Sequence, residues 1–276
     1  MTMLLFIPSR GRFTPKELKR GVLADIPPSW RSKTTMVVPA AEYGLYLEGL
    51  RAIGPVGDSV SVKAKTDIDG ISATRQWCGK LAHDRCYDKF VMLDDDIRFL
   101  VRRDVDTWRM KSPPAPREVE ACLWRISKML DTHAHGGVSS RDGNNRAGIV
   151  GPDFFKENER YLRLLAFRTY AFLSCEHGRV PVMEDFDVSL QLLSRGFKSF
   201  VLYYWAQGQT MTNAAGGCST YRTHELHEAA ARKLAELHPG VVSLRTAHKK
   251  MDAEGFGTRT EVTIQWKKAY ERGVAK

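Results

Sequence analysis

Apolar positions in this chain come in short runs broken by turn residues. Residues 3–7 (MLLFI) form a run that stops at Pro8-Ser9-Arg10-Gly11-Arg12, the pattern of a buried parallel strand that leaves into a donor-rich turn. The segment TMVVPAAEYG repeats the device, and SVSVKAK alternates apolar and polar residues as a strand with one covered face does. ISATRQWCGKLAHDRC carries apolar residues three and four apart, which predicts a helix, and KFVMLDDDI is the next strand. This order predicts an α/β protein with a mostly parallel sheet flanked by helices.

Further along, residues 104–117 contain three prolines and read as a loop before a helix at 118–132. HGGVSSRDGNNRAG, from His135 to Gly148, is rich in Gly, Ser and Asn and reads as an irregular connection or hairpin with little core of its own. YLRLLAFRTYAFLSC fits strands or a buried helix, and periodicity does not separate them. VMEDFDVSLQLLSRGF predicts a helix capped by Asp185, with Val188, Leu190, Leu192 and Leu193 facing inward and Gly196 ending it. FKSFVLYYWAQ is the last clear strand; a Gly-rich loop (TNAAGGCSTYRT), a helix stopped by Pro-Gly and a basic tail follow. The expected division is a core at 1–207 and a small, basic, helical C-terminal extension at 208–276.

Charge changes the picture of partners. Lys and Arg number 42 against 32 Asp and Glu, a net +10 that attracts polyanions. The basic residues are spread along the chain, so a polyanion meets a folded face and not a detachable arm. No apolar run approaches the roughly 20 residues of a membrane helix, so no membrane partner is expected. The 5 cysteines are odd in number and include no C-x-x-C pair, which argues against a disulfide framework or structural zinc and fits a reducing cytoplasm.

Three clusters suggest chemistry. Asp94, Asp95 and Asp96 emerge from FVML, at the carboxyl end of a buried strand where open α/β sheets bind ligands. Such close carboxylates repel unless a cation sits among them, and hard oxygen ligands select Mg²⁺ or Mn²⁺; a solvated acidic turn is the alternative. Glu184, Asp185 and Asp187 open an apolar helix, and capping explains one acid better than three, so one could accept a proton from an attacking hydroxyl. Pro8, Ser9, Arg10 and Arg12 form a donor-dense turn suited to a diphosphate, with Tyr43 after the second strand and Arg75 on the helix as further donor-side candidates.

IPSRGR after the first strand, TRQW on a helix, a strand ending in DDD, and EDFD before an L-x-L-L-x-x-G helix together resemble the GT-A (Rossmann-like) glycosyltransferases over residues 3–207. The resemblance implies that the triplet is a DXD motif holding Mn²⁺ or Mg²⁺ against a nucleotide sugar, expected to be a UDP-sugar. It makes Asp96 a direct metal ligand and Asp94 a partner of the metal or of the donor's ribose, leaves Asp95 at the variable middle position on the donor side, and makes Asp187 or Asp185, with Glu184, the acceptor-side acids. A histidine beyond the last strand often completes the metal shell in that class; His224, His227, His238 and His248 are available here, and His248 is the residue named.

Compact size, basic charge and the combination of IPSRGR, DDD, EDFD and a late GGCSTYR look similar to phage glycosyltransferases that act on hydroxymethylated pyrimidines and are associated with base hydroxylases. That implies double-stranded DNA carrying modified bases as partner, host cytoplasm as location, and Gly216, Gly217, Tyr221 and Arg222 as an acceptor-side or closing loop. Two other enzyme readings compete: a GT-A glycosyltransferase with a polysaccharide or protein acceptor, and a two-metal nuclease or nucleotidyltransferase, which DDD plus ED-x-D also supplies with carboxylates. A non-catalytic DNA-binding module would leave both acidic clusters unexplained.

Overall fold

The structure is a computed structural model that describes residues 3–65, 70–102, 110–141, 151–209, 223–248 and 258–275. In chain order it contains β1 (Leu4–Pro8), α1 (Pro15–Arg20), α2 (Pro28–Arg31), β2 (Thr34–Pro39), α3 (Tyr43–Ala52), α4 (Pro55–Asp58), β3 (Ser61–Lys65), α5 (Ile71–Asp84), β4 (Lys89–Leu93), β5 (Ile97–Arg102) and β6 (Met110–Lys111). There follow α6 (Pro116–Met129), β7 (His135–Ser140), β8 (Phe155–Glu157), β9 (Leu164–Arg168), α7 (Thr169–Leu173), α8 (Glu184–Leu193), β10 (Ser199–Gln209), α9 (His224–Leu237), β11 (Val242–His248), β12 (Thr258–Ile264) and α10 (Trp266–Val274).

One 10-stranded sheet runs β3-β2-β1-β4-β9-β7-β10-β5-β6, with β8 also on β10. Strands β1 to β4 are mutually parallel, β7 and β10 run the same way, and β9, β5 and β8 oppose them. The alternation of side chains along a strand divides the core between the two faces. From β1, Met3, Leu5 and Ile7 pack with α1, α3 and α6 on one face, while Leu4 and Phe6 pack with α5, α7 and α8 on the other. Because β1 and β4 are parallel neighbours, the turn after Pro8 and the acidic triplet after Leu93 leave the same edge of the sheet.

The structure departs from the sequence reading at several elements and decides one that it left open. His135–Ser140, read as an irregular connection, is a buried strand between β9 and β10. Its glycines answer to space: a Cβ on Gly136 would stand 2.3 Å from the Phe200 carbonyl oxygen, and one on Gly137 would stand 2.3 Å from that of Leu164. The ambiguous apolar stretch divides into β9 and then α7. Helix α6 begins at Pro116, before the position expected, with Ala115 N–H donating to the Glu118 carboxylate at 2.5 Å. Helix α8 is capped by no side chain; its N-cap is Met183, in the left-handed region at φ 66°, and among the described residues the Asp185 carboxylate accepts only the N–H of its neighbour Phe186.

Beyond β10, the extension adds an antiparallel hairpin, β11–β12, to the expected helix and tail. It packs on α8, whose Leu190 and Leu193 join Leu234, Val241, Val242 and Ala269, while Val188 and Leu192 face the sheet. Polar bonds fasten the same contact. Asp187 is only 2% exposed; its carboxylate accepts from Arg179 at 3.0 and 2.5 Å, from His238 Nε2 at 2.8 Å and from Gln191 at 3.1 Å. Among the described residues no helix is long and apolar enough to cross a membrane.

Burial alone would raise the Asp187 pKa, but bonds from His238 and Arg179 outweigh it and hold the carboxyl below its ordinary value. A depressed carboxyl contributes stability above its unfolded pKa, about 4, and loses it as pH falls through the folded value. Asp187→Asn is therefore expected to cost about 3 kcal/mol in chemical denaturation at pH 7, with the deficit narrowing as the pH is lowered toward about 3. A deficit independent of pH would contradict this assignment.

Candidate functional site

The turn after β1 is fixed from α3. Ser9 is the last residue held by the sheet, its N–H donating to Val37 O at 2.9 Å, and Gly11 then reverses the chain at φ 70°, where glycine has no steric cost. Gly11 N–H donates to Glu42 Oε2 at 2.7 Å and Arg12 N–H to the buried Tyr46 hydroxyl at 3.2 Å. Ser9 Oγ lies 2.7 Å from Tyr46 Oη and donates to Asp95 Oδ2 at 2.5 Å. Since the Ser9 proton goes to the carboxylate, Tyr46 must donate to Ser9, and one directional chain runs from Arg12 N–H through both hydroxyls to Asp95.

The triplet is a tight turn between β4 and β5 whose backbone is bonded on three sides. Asp94 N–H donates to Arg163 O at 2.9 Å, Ile97 N–H returns to Asp94 O at 3.5 Å, and Val22 N–H donates to Asp95 O at 3.1 Å. Gly21 lies against that last carbonyl, where a Cβ would stand 2.1 Å from the oxygen. The three carboxylates then diverge. Asp94 Oδ1 accepts from Arg75 Nη2 at 3.1 Å; Asp95 Oδ1 pairs with Arg12 Nη1; Asp96 Oδ2 takes Arg12 Nη2 at 3.3 Å and Gln209 Nε2 at 2.9 Å.

Arg75, on the second turn of α5, also reaches across to α8 and donates to Glu184 Oε1 at 2.5 Å. Two arginines thus tie the strand-end acids to the β1 turn and to the start of α8. Negative charge remains in excess. Burial raises the pKa of Asp94 despite Arg75, lifts Asp95 to about 6 against the pull of Arg12 and Ser9, and lifts Glu184 to about 7 against Arg75, with Asp185 and Asp94 adding repulsion. Such a cluster is set to accept a cation or to give up its arginines to an anion that arrives with one. Among the described residues no three His, Cys, Asp or Glu side chains converge on one cation position. A small divalent ion does not need three, because Mg²⁺ is commonly held by one or two carboxylates together with substrate phosphates and water.

Of the residues singled out in the sequence, Ser9, Arg12, Arg75, Asp94, Asp95, Asp96 and Glu184 meet in this hydrogen-bonded cluster, and Asp185 borders it. Pro8 is buried as the last residue of β1, while Arg10 and Tyr43 are exposed. Asp187 does not join: its carboxylate is filled by Arg179, His238 and Gln191 on the side of the extension. His238 is engaged there too, so it is not a spare metal ligand. The side chain of His248, and Gly216, Gly217, Tyr221 and Arg222, lie outside the described residues. The sequence reading missed Glu42, Tyr46 and Gln209, although Glu42 and Tyr46 follow β2 as Arg12 follows β1, at the same ligand-facing edge.

The described fold is shared with a solved structure. Staphylococcus aureus TarS 1-349 in complex with UDP-GlcNAc superposes with a TM-score of 0.51 at 12% identity, covering 85% of this chain and 67% of that one. The mannosyltransferase PcManGT from Pyrobaculum calidifontis, in complex with GDP-Man and Mn²⁺, aligns with a TM-score of 0.49 at 13% identity over 85% of this chain; the chain spans 62% of that protein's length. No curated protein matches the sequence. Residues 3–217, which contain the β1 turn, the triplet and the start of α8, match the family model described as TET-Associated Glycosyltransferase. The chain belongs to that family.

Proposed function

We propose that this protein transfers a sugar from a nucleotide sugar, a UDP-sugar being the expected donor, to the hydroxyl of a hydroxymethylated pyrimidine in double-stranded DNA. The observation that carries the reading is the meeting of the β1 turn, the DDD turn and the first residue of α8 through Arg12 and Arg75. Family membership supports the transfer of a sugar, and the shared fold with a protein solved with UDP-GlcNAc supports a nucleotide-sugar donor. The net charge of +10 supports a polyanionic acceptor.

Breaking the bond between sugar and diphosphate leaves charge on the departing phosphate oxygens. The Arg12 guanidinium would meet those oxygens, and Arg75 holds Asp94 and Glu184 in register. Asp94 and Asp96 would hold Mn²⁺ or Mg²⁺, which when bound supplies the remaining neutralisation of the leaving diphosphate. Asp185 would take the acceptor proton in an inverting reaction; in support, it borders Asp94, and its carboxylate accepts a single hydrogen bond among the described residues, from Phe186 N–H. A retaining reaction requires no such base, and the anomeric form of the product distinguishes the two. A target base inside duplex DNA must leave the stack, at a cost of a few kcal/mol that contacts to phosphates offset. The engagement of Asp187 elsewhere disfavours a two-metal nuclease, which would need ED-x-D to face the triplet.

Two substitutions separate these roles. Asp94→Asn is expected to lower Mn²⁺-supported release of UDP from the donor by at least about 10²-fold without loss of the folded circular dichroism signal; release that matches the wild type would exclude Asp94 from the machinery. Asp185→Asn is expected to lower kcat for transfer to hydroxymethylated DNA by about 10²–10³-fold while UDP affinity is kept. Undiminished transfer, read by mass spectrometry of the digested nucleosides, would remove Asp185 as the base.

A further inference from the structure

A second concave surface adjoins the site and takes no part in the chemistry above. Between the segment that leads into β9 and the first turn of α10 lies a groove of about 700 Å³, lined by Asn158, Glu159, Arg160, Trp266, Lys267 and Lys268, with Gln265 and Glu271 at its margin. Arg160, Lys267 and Lys268 form no ion pair among the described residues, and both lysines are exposed. Of the two carboxylates, Glu159 is engaged by the Tyr203 hydroxyl and lies 3.9 Å from Lys156. Glu271 sits a turn down α10. The lining is thus cationic at the end nearest the site.

The groove lies beside the start of α8. The Arg160 guanidinium lies 5.1 Å from the centre of the Phe186 ring, and the Trp266 ring meets Phe186 edge-on at 5.6 Å, so both walls close on the residue that follows Asp185. Three residues beyond Arg160, the Arg163 carbonyl accepts the Asp94 N–H, with Arg163 at φ 66°. Between them Tyr161 is anchored in the core: its hydroxyl lies 2.5 Å from His135 Nδ1 and accepts from Ser189 at 3.0 Å. His135 Nε2 lies 3.3 Å from the Phe197 carbonyl and must carry the proton, which leaves Nδ1 to accept from Tyr161. Arg160 therefore stands on a segment held by Tyr161 and Arg163, near Asp185. Its guanidinium is accessible yet enclosed enough that burial lowers its pKa, against the pull of nearby Asp185.

We propose that this groove seats the phosphate backbone of the acceptor nucleic acid, with Arg160, Lys267 and Lys268 on its phosphates and Trp266 as an aromatic wall, so that a base carried by that strand is presented to Asp185. The assignment rests on the DNA acceptor proposed above and adds where that acceptor lies. Unpaired lysines and an arginine beside a half-buried aromatic are the groups that hold a phosphate chain without reading its sequence.

Fluorescence anisotropy of a labelled, unmodified duplex of about 20 base pairs, titrated at several salt concentrations, tests it. The double variant Lys267→Glu/Lys268→Glu is expected to bind at least roughly ten-fold more weakly than wild type, with the salt slope reduced by about two. Lys80→Glu/Lys128→Glu, which changes net charge equally on exposed faces of α5 and α6, is expected to keep most of the affinity. Wild-type affinity and slope in the groove variant, or an equal loss in the α5/α6 variant, would overturn the groove while leaving the DNA acceptor in place. Failure of the wild-type protein to bind any duplex would overturn the acceptor itself, and the groove with it.

Discussion

Burial puts more carboxylates at one edge of this sheet than its arginines neutralise. Asp94, Asp95, Asp96, Glu184 and Asp185 gather where β4 ends and α8 begins, and Arg12 and Arg75 hold four of them apart through bonds that cross between elements. Asp95 and Glu184 are consequently pushed up to about 6 and about 7. A surplus of buried negative charge in a chain of net +10 costs stability unless something brings positive charge to it. The parallel pairing of β1 with β4 creates this situation, because it sends a donor-rich turn and an acid-rich turn out of adjacent strand ends.

Helix α8 connects that edge to the rest of the molecule. Its first residue is gripped by Arg75, its third, Phe186, packs against Arg160 and Trp266 of the neighbouring groove, and its fourth, Asp187, is bonded to Arg179 and His238 beneath the extension. One turn of helix therefore carries three acids into three environments. Glu184 is a buried partner of an arginine, Asp185 borders the acidic cluster with one backbone hydrogen bond among the described residues, and Asp187 is a structural tie. Helical geometry explains the division, because successive residues point about 100° apart around the axis.

Local pattern made much of this legible. The apolar runs at β1, β2, β4 and β10 and the helical spacing of α5 and α8 follow directly from periodicity, and so does the position of the triplet at a strand end. Strand β7 was hidden because His-Gly-Gly-Val-Ser-Ser has the composition of a loop; its glycines are required by backbone packing that only the assembled sheet reveals. The hairpin β11–β12 was hidden because VSLRTAH and TRTEVTI are polar and basic enough to read as a tail. The site divides in the same way. Residue types at strand ends announced Ser9, Arg12 and the aspartates, whereas the diversion of Asp187 depends on His238, 51 residues away, and no local pattern carries that.

The central claim is that the aspartate cluster binds a nucleoside diphosphate through a divalent cation. Calorimetric titration of UDP into the intact protein, with Mn²⁺ in one series and EDTA in the other, addresses it without any acceptor. The expected result is saturable binding with Mn²⁺ and none detectable with EDTA. Equal UDP affinity in both series would contradict the account, since the carboxylates would then play no part in holding the diphosphate.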